Sequence, residues 1–194
     1  MQQHIRQWLG RSITALAVMT AAAGCSQDTP LDPDPRSAMP VTPTAALQGV
    51  DLGSCGNLKA PEGHRISARL FARGAQIYRW DGAAWVFVAP AAELFEHRQA
   101  ARPVGTHYAG PTWESRSGSK VTGSVMDRCT PDASAIPWLL LAATPTEGPG
   151  IFRKVTHIQR INTVAGKAPA TPGTTIGELA HVPYTTDYIF YRAR

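Results

Sequence analysis

From residue 63 onward the chain repeats one device. Short runs place an apolar residue at every second position, and glycine, proline or Asp-Gly residues separate the runs. A side-chain period of two belongs to a strand with one face turned inward, and a helix cannot hold that pattern. In HRISARLFARGAQIYRW, Ile66, Ala68, Leu70 and Ala72 fall on one face and Arg65, Ser67, Arg69 and Phe71 on the other. Asp81-Gly82 then marks a hairpin, flanked by the β-branched and aromatic residues Ile77, Tyr78, Trp80, Trp85, Val86, Phe87 and Val88. Residues 136–143 (IPWLLLAA) form a continuous apolar run, too short to cross a membrane as a helix. They predict a central strand buried on both faces, with Trp138 in the core and Pro137 where a missing N–H is tolerated. Residues 151–162 predict a second central strand, with Val155, His157, Gln159 and Ile161 on one side, and PYTTDYIFY (183–191) a closing aromatic strand. One stretch departs from the period. PAAELFEHRQ (90–99) begins on proline and spaces its apolar residues as a helix would. The expected fold is therefore all-β: a single-domain sandwich or flattened barrel of about 8–10 short, mostly antiparallel strands, with at most one short helix.

The N-terminus is of another kind. His4, Arg6 and Arg11 precede an uncharged, alanine-rich run over 13–23, and Ala22, Ala23 and Gly24 lead directly to Cys25. That order predicts a secretory signal over residues 1–24. Ala22-Ala23-Gly24-Cys25 also resembles the bacterial lipobox, which implies cleavage before Cys25 and acylation of its thiol. Ser26 in the next position implies sorting to the outer membrane. One acyl chain holds a protein weakly, so a stable anchor needs the full lipoprotein acylation. Residues 25–46 then carry five prolines and, beyond Leu31, Met39 and Val41, almost nothing large and apolar. A segment of that kind cannot offset its own ordering entropy and reads as an extended tether to an all-β domain over 47–194.

Charge narrows the partners. Loss of residues 1–24 removes Arg6 and Arg11 and no acid, so the formal charge falls from +5 to 17 − 14 = +3. The remaining Lys and Arg are scattered, with no block interleaved with aromatics, and the electrostatic footprint of nucleic-acid binding is missing. With Cys25 lipidated, Cys55 and Cys129 remain as an even pair in an oxidising compartment and are expected to bridge. Two cysteines without a CxxC spacing make no zinc finger.

The densest chemistry lies in VGTHYAGPTWESRSGSKVTGSVM (104–126), a hairpin-like unit around Gly110-Pro111. His107, Tyr108, Trp113 and Glu114 are its candidate ligand-binding residues: flat rings to stack on a ligand face, polar edges to bond its rim. The alternative is that Tyr108 and Trp113 only pack the turn. No GxSxG elbow is present, and Glu93, Glu96, Glu114 and Asp127 are not paired by any spacing. His107, His157 and His181 sit on separate strands or their edges, so a metal site would need the fold to bring them together. No cofactor is implied.

Seven segments extend this reading: ARGAQIYRWDG, WVFVAPAAELFE, VGTHYAGPTWES, GSKVTG, AIPWLLLAAT, VTHIQRINTVAGKAPA and VPYTTDYIFY. In that order they resemble the blocks of domain of unknown function 3455, across about residues 47–194. The resemblance implies an exported protein and no established activity. Some fungal members carry a malate dehydrogenase label, which this chain does not support: it has no GxGxxG after a strand and no βαβ alternation. It also departs from the family, in which cysteines often follow the first QIY and the APA. Arg79 and Pro172-Gly173 stand there, and a Cys55–Cys129 bridge would be a substitute. The expected function is a lipid-anchored, non-catalytic envelope domain that binds a small molecule, glycan or protein. The alternative is a hydrolase or metal-assisted enzyme using His107 with Glu114 or His157.

Overall fold

The computed structural model describes residues 49–194. The export signal expected over 1–24, the lipidation expected at Cys25 and the whole of the tether expected over 25–46 lie outside the described residues.

Eight strands follow one another: β1 (His64–Trp80), β2 (Trp85–Phe95), β3 (Gly105–Tyr108), β4 (Thr112–Ser115), β5 (Lys120–Cys129), β6 (Trp138–Ala143), β7 (His157–Ala165) and β8 (Leu179–Ala193). Each pairs antiparallel with the next, and β8 returns to β1 from His64↔Ala193 to Arg79↔Leu179, which closes the barrel. The sole helical element among the described residues is a 3-10 turn at Gly56–Leu58. An eight-stranded barrel is just wide enough for side chains to fill its interior or for one small ligand.

Alternation assigns the interior. Leu70 and Ala72 on β1, Ala92 and Leu94 on β2, Trp113 on β4, Leu141 on β6, Ile158 on β7 and Tyr184, Tyr188 and Phe190 on β8 form one core. Gly123 on β5 leaves room for it: a Cβ there would stand 3.2 Å from both Trp113 and Leu141. One end of the barrel is plugged. Phe152, fully buried in the turn before β7, packs 4.8 Å from the Phe190 ring, and its N–H donates to the buried Ser119 hydroxyl at 3.1 Å.

The predicted helix over 90–99 is not formed. Residues 90–95 continue β2, with Pro90 opposite Gln76 and Leu94 opposite Ala72. Ala92 and Leu94 point inward, and Phe95 turns outward beneath the Arg73 guanidinium, 4.5 Å above its ring. Phe71, directly opposite Phe95, is capped the same way by Arg98. Apolar residues thus stand on both faces of this strand pair, and a run apolar on both faces loses the period that distinguishes strand from helix.

The outer face of β5 to β8 is covered by the segment that leads into β1. Cys55 is bonded to Cys129, as the even pair predicts. Leu52, Cys55 and Leu58 pack on Leu140 and Trp138, while Val50 and Ala60 reach Ile161, Ile189 and Tyr191. Gln159 ties this strap to the wall. Its Nε2 donates to the Leu58 carbonyl at 2.5 Å, and its Oε1 accepts from the Tyr191 hydroxyl at 2.6 Å. The run over 136–143 therefore does bury both faces, yet Trp138 packs under the strap and outside the barrel core. Residues 151–154 turn instead of extending, so the strand expected over 151–162 begins at His157. In a closed barrel neither β6 nor β7 is central.

Candidate functional site

The hairpin of β3 and β4 divides the four candidate residues between two sides of one wall. His107 pairs directly with Trp113, and both point inward. Thr106 pairs with Glu114, and Tyr108 follows on that outer side, where its hydroxyl donates to Glu114 Oε2 at 2.6 Å. Tyr108 is 37% exposed, whereas His107 is 3% and Trp113 1%. One side chain in two crosses the wall, so His107 and Glu114 cannot act on one substrate atom without breaking the hairpin. His157 packs edge-on to His64 at 4.7 Å. Among the described residues, no three His, Cys, Asp or Glu side chains are grouped to hold a metal ion.

Inside, the His107 ring stacks on Trp113 at 4.4 Å with 13° between planes, and Tyr188 meets both rings edge-on at 5.1 and 5.2 Å. His107 Nδ1 lies 2.8 Å from the Thr112 carbonyl oxygen. A carbonyl only accepts, so Nδ1 carries the proton and Nε2 is left as an acceptor. Burial is the main reason the imidazole pKa falls from 6.5 to about 3. The Arg160 charge adds to the fall, and the Thr112 bond opposes it in part. His107 is thus a neutral ring at any pH near 7.

These rings floor a cavity of about 440 Å³ at the end of the barrel opposite Phe152. Its mouth lies among the β1–β2 hairpin, the Gly110-Pro111 turn and the start of β6. Phe87, Val88 and Val125, each about half exposed, stand there. Phe87 meets the Tyr78 ring edge-on at 5.7 Å, and the Tyr78 hydroxyl is committed to the Gly166 carbonyl at 2.7 Å. The size falls within the usual range for small-molecule sites, roughly 300–1,000 Å³.

The polar groups of the cavity come from strands remote from the hairpin. Gln76 on β1, Arg160 on β7 and Tyr188 on β8 all line it, and none stood out in the sequence. Their signal was present but faint. Gln76 keeps the register of the inward Leu70 and Ala72, and Arg160 keeps that of the inward Ile158. The side of β7 picked out by Val155, His157, Gln159 and Ile161 is, from His157 onward, the outer one. Gln76 Nε2, Trp113 Nε1 and the Tyr184 and Tyr188 hydroxyls are buried without a hydrogen-bond partner. Gln76, Tyr184, Tyr188 and Arg160 are close enough to alter each other's ionisation, yet their geometry does not satisfy those four atoms. Burial holds both tyrosine hydroxyls well above the ordinary phenol range. Groups left unpaired inside a protein are costly, so a cluster beside a cavity marks a place where an occupant would satisfy them.

No curated protein and no solved structure matches the chain significantly. The family model described as "Protein of unknown function (DUF3455)" matches residues 61–192, which takes in all eight strands to within one residue. The chain belongs to that family, represented here by a closed eight-stranded barrel with one plugged and one hollow end.

Proposed function

We propose that the barrel is a non-catalytic binding module for a small ring-bearing molecule, carried on an exported, lipid-anchored chain. The observation that carries the binding reading is the cavity itself. Its floor is the His107–Trp113 stack, its mouth is apolar, and its inner polar atoms lack partners. Of the sequence candidates, His107 and Trp113 belong to this site, and Tyr108 and Glu114 serve the outer surface. The alternative pairs His107 with Glu114 or His157, and neither lines the cavity. The cavity lining holds no Asp or Glu, and the His107 Nδ1–H donates a hydrogen bond to the Thr112 carbonyl.

The test uses N-phenyl-1-naphthylamine, a neutral probe that fluoresces in apolar surroundings. Wild type should give saturable enhancement at one site per chain. Val125→Trp, which fills the mouth at an exposed position, should weaken it by about tenfold or more, a loss of about 1.4 kcal/mol. Tyr108→Ala, on the far side of the wall, should leave it unchanged. Enhancement that never saturates, or that survives Val125→Trp, counts against a cavity site.

The anchoring reading rests on Ala22-Ala23-Gly24-Cys25 and the proline-rich segment that follows. In cells given a labelled fatty acid, the wild type should take up label and Cys25→Ser should not. Equal labelling of both would remove the anchor, and with it the outer-membrane assignment.

A further inference from the structure

We propose that the occupant of the cavity is an anion: a small molecule with a flat apolar body and one carboxylate or similar oxyanion, held by Arg160. This rests on the reading of the cavity as a binding site and adds the chemical class of the ligand.

Arg160 reaches the cavity from β7. Its Nε and Nη2 both donate to the Pro137 carbonyl, at 3.1 and 2.8 Å. That single oxygen takes up two of five N–H donors, and the Tyr188 hydroxyl lies close enough to the guanidinium to interact with a third. No ion pair to Arg160 is formed among the described residues, and no carboxylate lines the cavity beside it. Arg128 adds a second positive charge at the exposed side of the lining, which contains no acid at all. A half-buried cation among aromatic and aliphatic side chains, with only neutral oxygens as partners, is under-compensated.

The unpartnered atoms point to the same chemistry. Gln76 Nε2 and Trp113 Nε1 can only donate, and the Tyr188 hydroxyl can donate. A site whose charged group and unpartnered N–H groups all donate suits an oxyanion, which accepts several bonds at once and which guanidinium matches in a planar, two-pronged fashion. The stacked His107 and Trp113 rings provide a flat apolar floor for the rest of the molecule. A neutral sugar fits less well, because it would leave the Arg160 charge without an opposite charge.

The groups around the guanidinium also fix the pH behaviour. The ionisable side chains lining the cavity with Arg160 are Tyr78 from β1, His107 from β3, Arg128 from β5 and Tyr188 from β8, with Tyr184 close by on β8. Burial raises the three phenols and lowers His107, and arginine stays charged throughout. Nothing in this set changes charge between about pH 5 and pH 9. Recognition of a permanent anion should be flat over that interval, whereas an imidazolium-based site would lose affinity as pH rose through about 6.5.

The experiment compares two naphthalene probes of similar shape: 8-anilino-1-naphthalenesulfonate, a permanent anion, and neutral N-phenyl-1-naphthylamine. Titrations use wild type, Arg160→Gln and Arg160→Lys. Wild type should prefer the sulfonate. Arg160→Gln should weaken the sulfonate by about tenfold or more, the usual scale for a bond to a charged group, and change the neutral probe by less than about threefold. Arg160→Lys should restore part of the preference, and the wild-type preference should not vary from pH 5 to pH 9. A sulfonate bound no better than the neutral probe, or unaffected by Arg160→Gln, overturns the anion while leaving the cavity site intact. Equal weakening of both probes in Arg160→Gln and Arg160→Lys means Arg160 only supports the wall, and also overturns it. If neither probe binds wild type saturably, the binding reading itself falls, and the anion with it.

Discussion

Trp113→Ala should lower the unfolding free energy by about 3–5 kcal/mol, the usual cost of truncating a large buried aromatic residue. The ring is 1% exposed and touches His107 face-on and Tyr188 and Phe190 edge-on, so removing it strips three aromatic contacts at once. It also enlarges a hollow that is already present, which limits collapse of the surroundings. A second readout tracks the neighbour. His107 titrates at about 3 chiefly because it is shielded from water, and removal of the stacked indole should let water in and raise that value toward 6.5. The sign follows from linkage. In wild type the unfolded imidazole takes up its proton near 6.5 and the folded one near 3. The stabilising effect of keeping it neutral is therefore complete above 6.5 and is lost as pH falls toward 3. In Trp113→Ala that acid-sensitive window should narrow. A denaturant midpoint, converted with an unchanged slope, and an NMR titration of the His107 ring are sufficient. A loss below about 1 kcal/mol, the scale for an exposed ring, with His107 still titrating near 3, would contradict the stack as described.

Replacing both Cys55 and Cys129 by serine should cost about 4–5 kcal/mol in the chain-entropy limit, since the bridge spans a sequence separation of 74. Replacing both together leaves neither partner of the bridge as a free thiol. More than entropy is at stake, because the bond latches the strap over Leu140, and Gln159 uses the Leu58 carbonyl from that strap. Once unlatched, a buried amide and the apolar outer face of β6 to β8 would meet water. Non-reduced protein should accordingly resist alkylation at both cysteines, and the variant should unfold at clearly lower urea. A shift of less than about 1 kcal/mol would mean that the strap holds without its bond.

Most of the barrel wall was legible because a half-buried strand writes its environment into every second residue. Ala68 to Ala72, the Asp81-Gly82 hairpin, the Gly110-Pro111 turn and the closing strand over 183–191 follow from that alone, whereas a register shift after Ile66 turns that residue to the outer face against Tyr191. The failure at PAAELFE has the same root: Phe95 is apolar yet outward, because Arg73 covers it. Closure was not legible, since pairing of β1 with β8 is a fact about partners and neither strand alone encodes it. The candidate site was half legible. His107 and Trp113 drew attention as adjacent chemistry, but contiguity in sequence also brought in Tyr108 and Glu114, which the pleat sends to the other side. Gln76, Arg160 and Tyr188 were missed for the converse reason. They are far apart along the chain, and each is one polar residue in an otherwise ordinary strand.

Closure bears on how the protein is made and what it can pair with. The longest seam joins β1 to β8, with His64 opposite Ala193, so the first strand waits for a partner supplied by the end of the chain. Contacts between such distant residues form slowly, because the ordering of the intervening loop must come first. Until then the chain carries two unpaired strand edges, each a template for another chain. Once β8 docks both are paired, and open edges persist only where β2 over 85–91 and β5 over 124–129 run past the short strands β3 and β4. Deletion of β8 (Leu179–Ala193), most of which lies away from the cavity, would therefore reopen the seam and leave a sheet with two free edges able to recruit its own copies.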